Sequence, residues 1–271
     1  MSEVRMAAID VDGTLIDDDD RMPPENAGAV RRAMAAGVRI VLATGRAYEG
    51  VRYIIKELGL TDPLVLLGGS IVMTASGRVM KSYAMPSAHV KAVYEFCRQR
   101  DLSVRAQGPY GMYLLFRNPE HPDVALIQRR LREWAPYDYA VIYDYGRLPV
   151  RGINKVTILF DTVADMHRLR LEICSSLQGV SYAQAYRNWI EVTSLGISKL
   201  KGIKYVARIL GVKRRNIVAI GDNENDLELV KWAGLGIYAD TAPAVLKEHA
   251  RMIVPAGEPA VAWGLSRLVS V

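Results

Sequence analysis

The first 67 residues alternate short apolar runs with amphipathic segments, and this alternation constrains the fold more than any other feature. The apolar runs at 6–9, 38–43 and 64–67 have the length and composition of buried strands. The two stretches between them place apolar residues at helical spacing, and they end at Gly37 and Gly59. Strand–helix–strand–helix–strand order is typical of a parallel sheet with helices on its faces.

This regular alternation breaks off after Tyr83 and resumes near Trp189. The segment between mixes strand-like and helix-like stretches with loops, including a predicted helix at about 124–134. We therefore predict the α/β class, with a Rossmann-like open parallel sheet core formed by residues 1–84 and 188–271. Residues 85–187 are expected to form an inserted α+β domain.

Two carboxylates, Asp10 and Asp12, follow the first predicted strand, and Gly13 comes directly after them. Like charges this close repel each other unless a cation lies between them. Carboxylate and backbone carbonyl oxygens are ligands that suit Mg²⁺. Gly13 would let the backbone turn and present its N–H group to an anion. Taken alone, however, the D-x-D-G sequence is also ordinary turn chemistry.

Other predicted strand and helix ends carry groups that complement these carboxylates. Thr44 and the Gly45 N–H could donate hydrogen bonds, Lys199 supplies a positive charge, and Asp222 supplies a third carboxylate. In open parallel sheets, function collects beyond the carboxyl ends of the strands. Each residue also has a simpler interpretation: Thr44 as a helix N-cap, Lys199 as a solvated lysine, and Asp222 as part of a polar capping loop.

Together these residues form the set that phosphoryl transfer requires, namely an oxygen nucleophile, a cation and hydrogen-bond donors for the phosphate oxygens. Attack by Asp10 on phosphorus would give an aspartyl-phosphate, which water then cleaves. Asp12 would protonate the leaving oxygen and later accept a proton from the water. Asn225 and Asp226 could orient groups nearby.

The four segments that carry Asp10, Thr44, Lys199 and Asp222, taken in chain order, resemble the four motifs of the haloacid dehalogenase superfamily, and specifically its Cof-type sugar-phosphatase branch. The D-x-D-G-T motif stands at residues 10–14, and the strand-end threonine of the second motif is Thr44. The G-[VI]-S-K motif stands at 196–199 and the G-D-x-x-N-D motif at 221–226. The matching core spans residues 1 to about 84 and 188–271.

The resemblance implies Mg²⁺ as cofactor and makes residues 85–187 a cap domain that selects the substrate. Asp10 would be the nucleophile and a metal ligand, Asp12 the acid/base with its carbonyl on the metal, and Asp222 the other ligand. The resemblance also implies phosphate contacts from the Val11 N–H, Thr44, Gly45, Lys199 and Asn225, and an orienting role for Asp226.

Three stretches depart from the family pattern. Gly68-Gly69 stands where the family often has Asn-Gly, and Leu200 replaces the glycine that usually follows the motif lysine. Residues 238–242 replace a variant of A-M-G-N-A. None of these departures changes a residue with a predicted chemical role. The first and third leave the contacts to the substrate open, so no particular substrate follows from the resemblance.

We expect a phosphatase that hydrolyses a small phosphorylated metabolite, such as a sugar phosphate. A phosphomutase of the same fold and a non-catalytic module that binds a phospho-ligand are the alternatives. The net charge of +6 favours anionic partners. No stretch of the sequence interleaves Lys or Arg with aromatic residues, so nucleic acid is not an expected partner.

The sequence also favours a cytoplasmic protein without a membrane partner. No apolar run is long enough to span a bilayer, and the amino-terminal residues do not resemble a signal peptide. Cys97 and Cys174 lie in apolar, helix-like stretches that fit buried free thiols better than a disulfide. The 4 histidines are scattered, so no zinc site is predicted.

Overall fold

The structure is a computed structural model that describes residues 4–117, 139–186 and 188–267. The helix expected at about 124–134 lies outside the described residues. The chain divides into two compact units. Unit 1 consists of Met1–Gly45, Arg52–Lys81 and Ser198–Val271, and unit 2 of Arg46–Val51 and Ser82–Ile197.

The strands of the described residues are β1 (Met6–Ile9), β2 (Arg39–Leu42), β3 (Leu64–Leu66), β4 (Ile71–Met73), β5 (Val79–Ser82), β6 (Ser103–Gln107), β7 (Met112–Leu115), β8 (Tyr139–Ile142), β9 (Lys155–Leu159), β10 (Val180–Tyr186), β11 (Trp189–Ser194), β12 (Ile217–Gly221), β13 (Leu235–Tyr238) and β14 (Met252–Ile253). The α-helices are α1 (Pro24–Ala35), α2 (Arg52–Leu58), α3 (Ser87–Gln99), α4 (Val163–Ser176), α5 (Lys199–Ile209), α6 (Leu227–Trp232), α7 (Ala244–Lys247) and α8 (Ala260–Ser266). None of the described helices is long and apolar enough to cross a membrane.

Unit 1 is organised around a parallel sheet with the strand order β14-β13-β12-β1-β2. In its centre Ile9 of β1 lies opposite Ile220 of β12 and Leu42 of β2. An isolated bridge between Ala43 and Val65 joins β2 to β3. β1 and β12 are buried along their whole length. Such strands read as continuous apolar runs because helices cover both faces of a parallel sheet. The predicted parallel sheet core is therefore confirmed.

The helices of unit 1 are amphipathic and pack their apolar sides against this sheet. Ile203, Val206 and Ala207 of α5 belong to one buried cluster with residues of β1, β2 and β12. α1 begins at Pro24, where the fixed φ of proline suits the first helical turn. It ends just before Gly37, which has the positive φ of +81° that glycine adopts readily. The end of the helix agrees with the sequence prediction.

Unit 2 contains a mixed sheet with the strand order β10-β11-β9-β6-β7-β8. Its strands pair antiparallel except β7 and β8, which are parallel. Residues of α3 and α4 form a buried cluster with apolar residues of the sheet, among them Val104, Val156, Ile158 and Val192. Unit 2 therefore has a core of its own, which a separate α+β domain requires.

β11 and β4 are among the strands that differ from the sequence prediction. The expectation that the core resumes at Trp189 is wrong, because β11 pairs antiparallel with β9 and β10 in unit 2. Its first five residues are all buried, and a short run buried on both faces gives no sign of which sheet it joins. β4 folds back antiparallel on β3 and was not predicted, since three residues are too few to show a period. The boundary near 84 stays a prediction, whereas unit 1 resumes at Ser198 and not near 188.

A buried ion pair links two strands of unit 2. Lys155 on β9 is fully buried, and its Nζ donates a hydrogen bond to Oε1 of Glu191 on β11, which is also buried. Removing either charge from water is unfavourable by several kcal/mol unless the opposite charge stays beside it. Each side chain therefore depends on its partner.

We predict that Glu191→Leu lowers the free energy of unfolding by about 3–5 kcal/mol, because a buried ammonium group loses its carboxylate partner. The double variant Lys155→Met/Glu191→Leu should recover most of this loss, since two apolar side chains of similar size carry no charge to desolvate. Urea denaturation of the wild type and both variants measures the difference. Equal losses in the single and double variants would contradict the interpretation.

Candidate active site

Asp10 lies where β1 ends, at the edge formed by the carboxyl ends of the parallel strands. Its N–H donates to the Ile220 carbonyl at 2.9 Å, which continues the pairing of β1 with β12, and the residue is buried. The chain then turns at Gly13, which has a φ of +73°. A Cβ atom on Gly13 would lie 2.5 Å from Oδ2 of Asp222. Glycine at this position therefore lets the loop after β1 approach Asp222.

Asp222 follows β12, the neighbour of β1, and two contacts hold its loop in place. Its Oδ1 accepts a hydrogen bond from Thr14 Oγ1 at 3.1 Å. Oδ2 of Asp226 accepts from the N–H groups of Asp222 and Asn223 at 3.4 and 3.3 Å. A side chain on Gly221 would overlap the carboxyl group of Asp226. The loop thus folds back on the end of β12 and brings the carboxylate of Asp226 against the backbone of Gly221 and Asp222.

Lys199 is the first residue of α5 and is almost completely buried. Its Nζ lies 2.7 Å from Oδ1 of Asp10 and 2.8 Å from Oδ1 of Asp226. Burial alone would lower the pKa of Lys199, but the charges of Asp10 and Asp226 outweigh burial and raise this pKa above its ordinary value. The lysine is therefore a permanent cation that joins the loop after β1 to the loop after β12.

The start of α5 is held by contacts on both sides. Gly69 has a φ of +97°, and a Cβ atom there would overlap the Ser198 carbonyl and lie 2.9 Å from the Lys199 nitrogen. On the other side, Ser198 Oγ donates to Glu228 Oε2 on α6 at 2.6 Å. The turn after β3 and the helix after the Asp222 loop therefore fix the position from which Lys199 extends.

Asp10, Asp222 and Asp226 each offer a carboxylate oxygen, and these oxygens lie within 4.8 Å of one another. Burial, and then the charges of Asp226, Asp222 and Asp12, raise the pKa of Asp10 well above its usual range, although Lys199 opposes this. Burial and the charge of Asp226 raise the pKa of Asp222 to about 6. One lysine does not neutralise the cluster, and carboxylate oxygens are ligands that hard divalent cations prefer.

The remaining predicted residues lie at the same edge of the sheet. Thr44 follows β2 and is fully buried; its N–H donates to Val65 at 2.9 Å and its carbonyl accepts from Gly68 at 3.0 Å. Gly45 comes next in the chain. Val11 is buried, whereas Asp12 is exposed. Asn225 is half-buried, and its Oδ1 atom is buried without a hydrogen-bond partner among the described residues.

Sequence reasoning missed three residues that support this site. Thr14 donates a hydrogen bond to Asp222, and its place in the D-x-D-G-T motif is a signal that could have indicated this role. Glu228 on α6 contacts Ser198 at the start of α5, and no sequence pattern indicates this contact. Tyr238, at the end of β13, is fully buried and its hydroxyl donates to the Asn223 carbonyl at 3.5 Å. Burial and the charge of Asp226 raise the pKa of Tyr238, so its hydroxyl stays a donor.

Comparison with known proteins identifies relatives along nearly the whole chain. The family described as haloacid dehalogenase-like hydrolase matches residues 7–262. A 5-amino-6-(5-phospho-D-ribitylamino)uracil phosphatase of Bacillus subtilis is 24% identical over 251 residues, which cover 93% of this chain and 90% of that protein. An HMP-PP phosphatase of Serratia proteamaculans is 27% identical over 252 residues, covering 90% of this chain and 86% of that protein.

Solved structures share the fold. A sugar phosphatase of HAD subclass IIB superposes with a TM-score of 0.85 at 20% identity and covers 97% of this chain and 98% of its own. A phosphatase of the same superfamily from Bacteroides thetaiotaomicron gives a TM-score of 0.82 at 22% identity, covering 98% of this chain and 95% of its own. At these identities the structures establish a common fold.

We predict that Gly69→Ala destabilises the protein more than Gly37→Ala does. Both glycines have positive φ, so each variant carries a strain of about 1–2 kcal/mol. Only at Gly69 would the new Cβ overlap the Ser198 backbone, whereas nothing lies within 4 Å of a Cβ at Gly37. Urea denaturation of the two variants measures the difference. Equal losses would show that the close approach at Gly69 does not hold the start of α5.

Proposed function

The chain belongs to the haloacid dehalogenase-like hydrolase family, and from that membership we propose that it is a Mg²⁺-dependent phosphatase for a small phosphorylated metabolite. The family that the four sequence motifs predicted is thereby confirmed. The observation that carries the proposal is the buried ion pair of Lys199 with Asp10 and Asp226, beside the carboxylate of Asp222. A purely structural ion pair needs no additional carboxylate, whereas phosphoryl transfer needs this surplus of negative charge to hold a cation.

The residues at this site fit a divalent cation. We propose that the carboxylates of Asp10 and Asp222 and the backbone carbonyl of Asp12 hold Mg²⁺, and that Asp226 orients the loop. These are hard oxygen donors, and the raised pKa of Asp10 and Asp222 reflects burial together with negative charge that Lys199 does not offset. When bound, Mg²⁺ would offset the negative charge that the substrate phosphate adds to the carboxylates.

The proposed chemistry uses the carboxyl groups of Asp10 and Asp12. A carboxylate oxygen of Asp10 attacks the phosphorus atom, the bond from phosphorus to the leaving oxygen breaks, and Asp12 gives a proton to that oxygen. Water then attacks the phosphorus of the aspartyl-phosphate and gives a proton to Asp12. This step releases inorganic phosphate and restores the Asp10 carboxylate. The contact from Lys199 to Oδ1 of Asp10 favours the ionised, nucleophilic form of this side chain.

Phosphate binding is proposed for the groups that surround these two carboxylates. The transferred phosphoryl group carries charge on its equatorial oxygens, and fixed donors and cations stabilise it. Asn225 would take part through its Nδ2 group, which can donate to a phosphate oxygen, whereas its buried Oδ1 atom can only accept a hydrogen bond. The proposed contacts are the Val11 N–H, Thr44, Gly45, Lys199 and Asn225.

The proposed substrate is a small phosphomonoester. The relatives from Bacillus subtilis and Serratia proteamaculans carry the names of phosphatases for small phosphorylated compounds. We propose residues 1–84 and 198–271 as the catalytic core and 85–197, which include β11, as the cap that selects the leaving group. Residues 68–69 and 238–242 depart from the family pattern. We therefore propose the same class of substrate as that of the relatives, but no particular compound.

We predict that Asp10→Asn lowers phosphate release by at least about 10³-fold, because an amide does not replace a carboxylate nucleophile. Asp18→Asn is the matched control, since it removes one negative charge from an exposed side chain of the nearby loop and should keep full activity. Phosphate release from a panel of phosphomonoesters with Mg²⁺ measures both variants.

Equal rates in Asp10→Asn and the wild type would exclude Asp10 as the nucleophile. Product analysis by NMR separates the phosphatase from a phosphomutase, since a mutase returns an isomeric phosphate ester instead of inorganic phosphate. Tight phosphate binding without turnover across the panel would favour a non-catalytic binding module.

We predict that Mg²⁺ binds more weakly as the pH falls from about 7.5 to 5.5, because a carboxylate must lose its proton to bind the metal. The pKa of Asp222 is raised to about 6 in the metal-free site, so the change should be centred near that pH, with protons released on binding. Calorimetric Mg²⁺ titrations in buffers of different ionisation enthalpy measure affinity and proton release together. An affinity that stays constant over this range would contradict the assignment of Asp222 as a ligand.

A further inference from the structure

The positive charge of the chain is concentrated in one segment. No Asp or Glu occurs between Glu191 and Asp222, while Lys or Arg occurs seven times: Lys199, Lys201, Lys204, Arg208, Lys213, Arg214 and Arg215. The net charge of the whole protein is +6, so this segment alone carries an excess of similar size. Lys199 belongs to the site described above, and the other six side chains are exposed.

The fold gathers cations at the amino-terminal edge of the parallel sheet in unit 1. Arg5 directly precedes β1, and its N–H donates to the Asn216 carbonyl at 2.9 Å. Arg215 lies two residues before β12, and Arg251 directly precedes β14. We call the following exposed set the basic edge: Arg5, Lys204, Arg208, Lys213, Arg214, Arg215, Lys231 and Arg251. Arg39, at the same edge, is paired with Asp62 at 2.5 Å and is left out of the set.

The basic edge lies at the opposite ends of the strands from the carboxylate cluster. Arg5 and Asp10 are separated by the whole of β1, five residue steps or about 16 Å at 3.3 Å per residue. The Debye length at physiological ionic strength is about 8 Å, so the two groups of charges are largely screened from each other. The basic edge therefore has no part in holding the substrate phosphate, and its charge fits a second, anionic partner.

Aromatic rings lie among these cations. Lys204 Nζ is 5.5 Å from the centre of the Trp232 ring, and Arg208 Cζ is 5.5 Å from that of Tyr205. Arg214 Nε donates to the Trp232 carbonyl, which joins the turn before β12 to the end of α6. The sequence alone argued against nucleic acid because no single stretch interleaves cations with aromatic residues. The fold brings such an arrangement together from α5, α6 and the turn between α5 and β12.

We propose that the basic edge binds nucleic acid through its phosphate backbone, without sequence preference. The row from Arg251 before β14 to Arg5 before β1 crosses three strand spacings, about 14 Å, so several phosphates of a duplex could be contacted at once. Five of the eight residues are arginines, whose planar guanidinium group matches phosphate oxygens. Adsorption to a membrane is less favoured, because α5 turns its apolar residues Ile203 and Val206 into the core and, of its apolar side chains, exposes only Ile209 at its end.

The test compares two triple variants that remove the same charge. Arg5→Gln/Lys213→Gln/Arg251→Gln changes the basic edge, and Lys91→Gln/Arg147→Gln/Arg151→Gln changes three exposed cations of unit 2. Fluorescence anisotropy with a labelled DNA duplex of about 20 base pairs measures binding between about 50 and 200 mM salt. The logarithm of the affinity falls linearly with the logarithm of the salt concentration. This slope should become less steep by about 0.9 for each phosphate contact that a variant removes.

We expect the wild type to bind the duplex, the basic-edge triple to bind at least about 10-fold more weakly at low salt, and the unit 2 triple to bind within about twofold of the wild type. No binding by the wild type, or equal losses in both triples, would overturn the proposal. Binding to vesicles that contain phosphatidylserine but not to the duplex would also overturn it. Asp10→Asn should bind the duplex normally, which separates this test from that of the phosphatase.

Discussion

The ion pairs of Lys199 are the interaction on which the proposed site depends. Its Nζ lies within 2.8 Å of both Asp10 and Asp226, and all three side chains are buried. Burying a charge is unfavourable by several kcal/mol unless an opposite charge remains beside it, so the lysine allows two carboxylates to stay close together. Because Asp222 adds a third carboxylate, negative charge remains in excess. Burial and then this excess of negative charge raise the pKa of Asp10, and a divalent cation would offset the excess.

This charge arrangement requires three loops to approach more closely than side chains would permit. Gly13 faces Asp222, Gly69 faces the backbone of Ser198, and Gly221 faces Asp226, and a Cβ atom at any of them would collide with its neighbour. The glycines thus set distances between segments that lie far apart in the sequence. The same parallel sheet that places acidic groups beyond the carboxyl ends of its strands places the basic edge at their amino ends.

Much of the fold and the site could be predicted because the apolar runs end at polar residues, and those residues form known motifs. Because Asp10 and Lys199 both belong to such motifs, their meeting at one site could be expected from the sequence. The sheet to which Trp189 belongs was not, since a short run buried on both faces carries no information about its neighbours. Contacts such as Ser198 with Glu228, and the grouping of cations around Trp232, depend on how separate segments pack, and a linear pattern does not record them.

A crystal structure with Mg²⁺ and beryllium fluoride, which mimics a phosphoryl group on a carboxylate, tests the central claim most directly. The account predicts the fluoride adduct on Asp10 and one cation at about 2.0–2.1 Å from carboxylate oxygens of both Asp10 and Asp222. Lys199 should remain in contact with Asp10 in that complex. An adduct on another residue, or a cation bound without Asp222, would contradict the account.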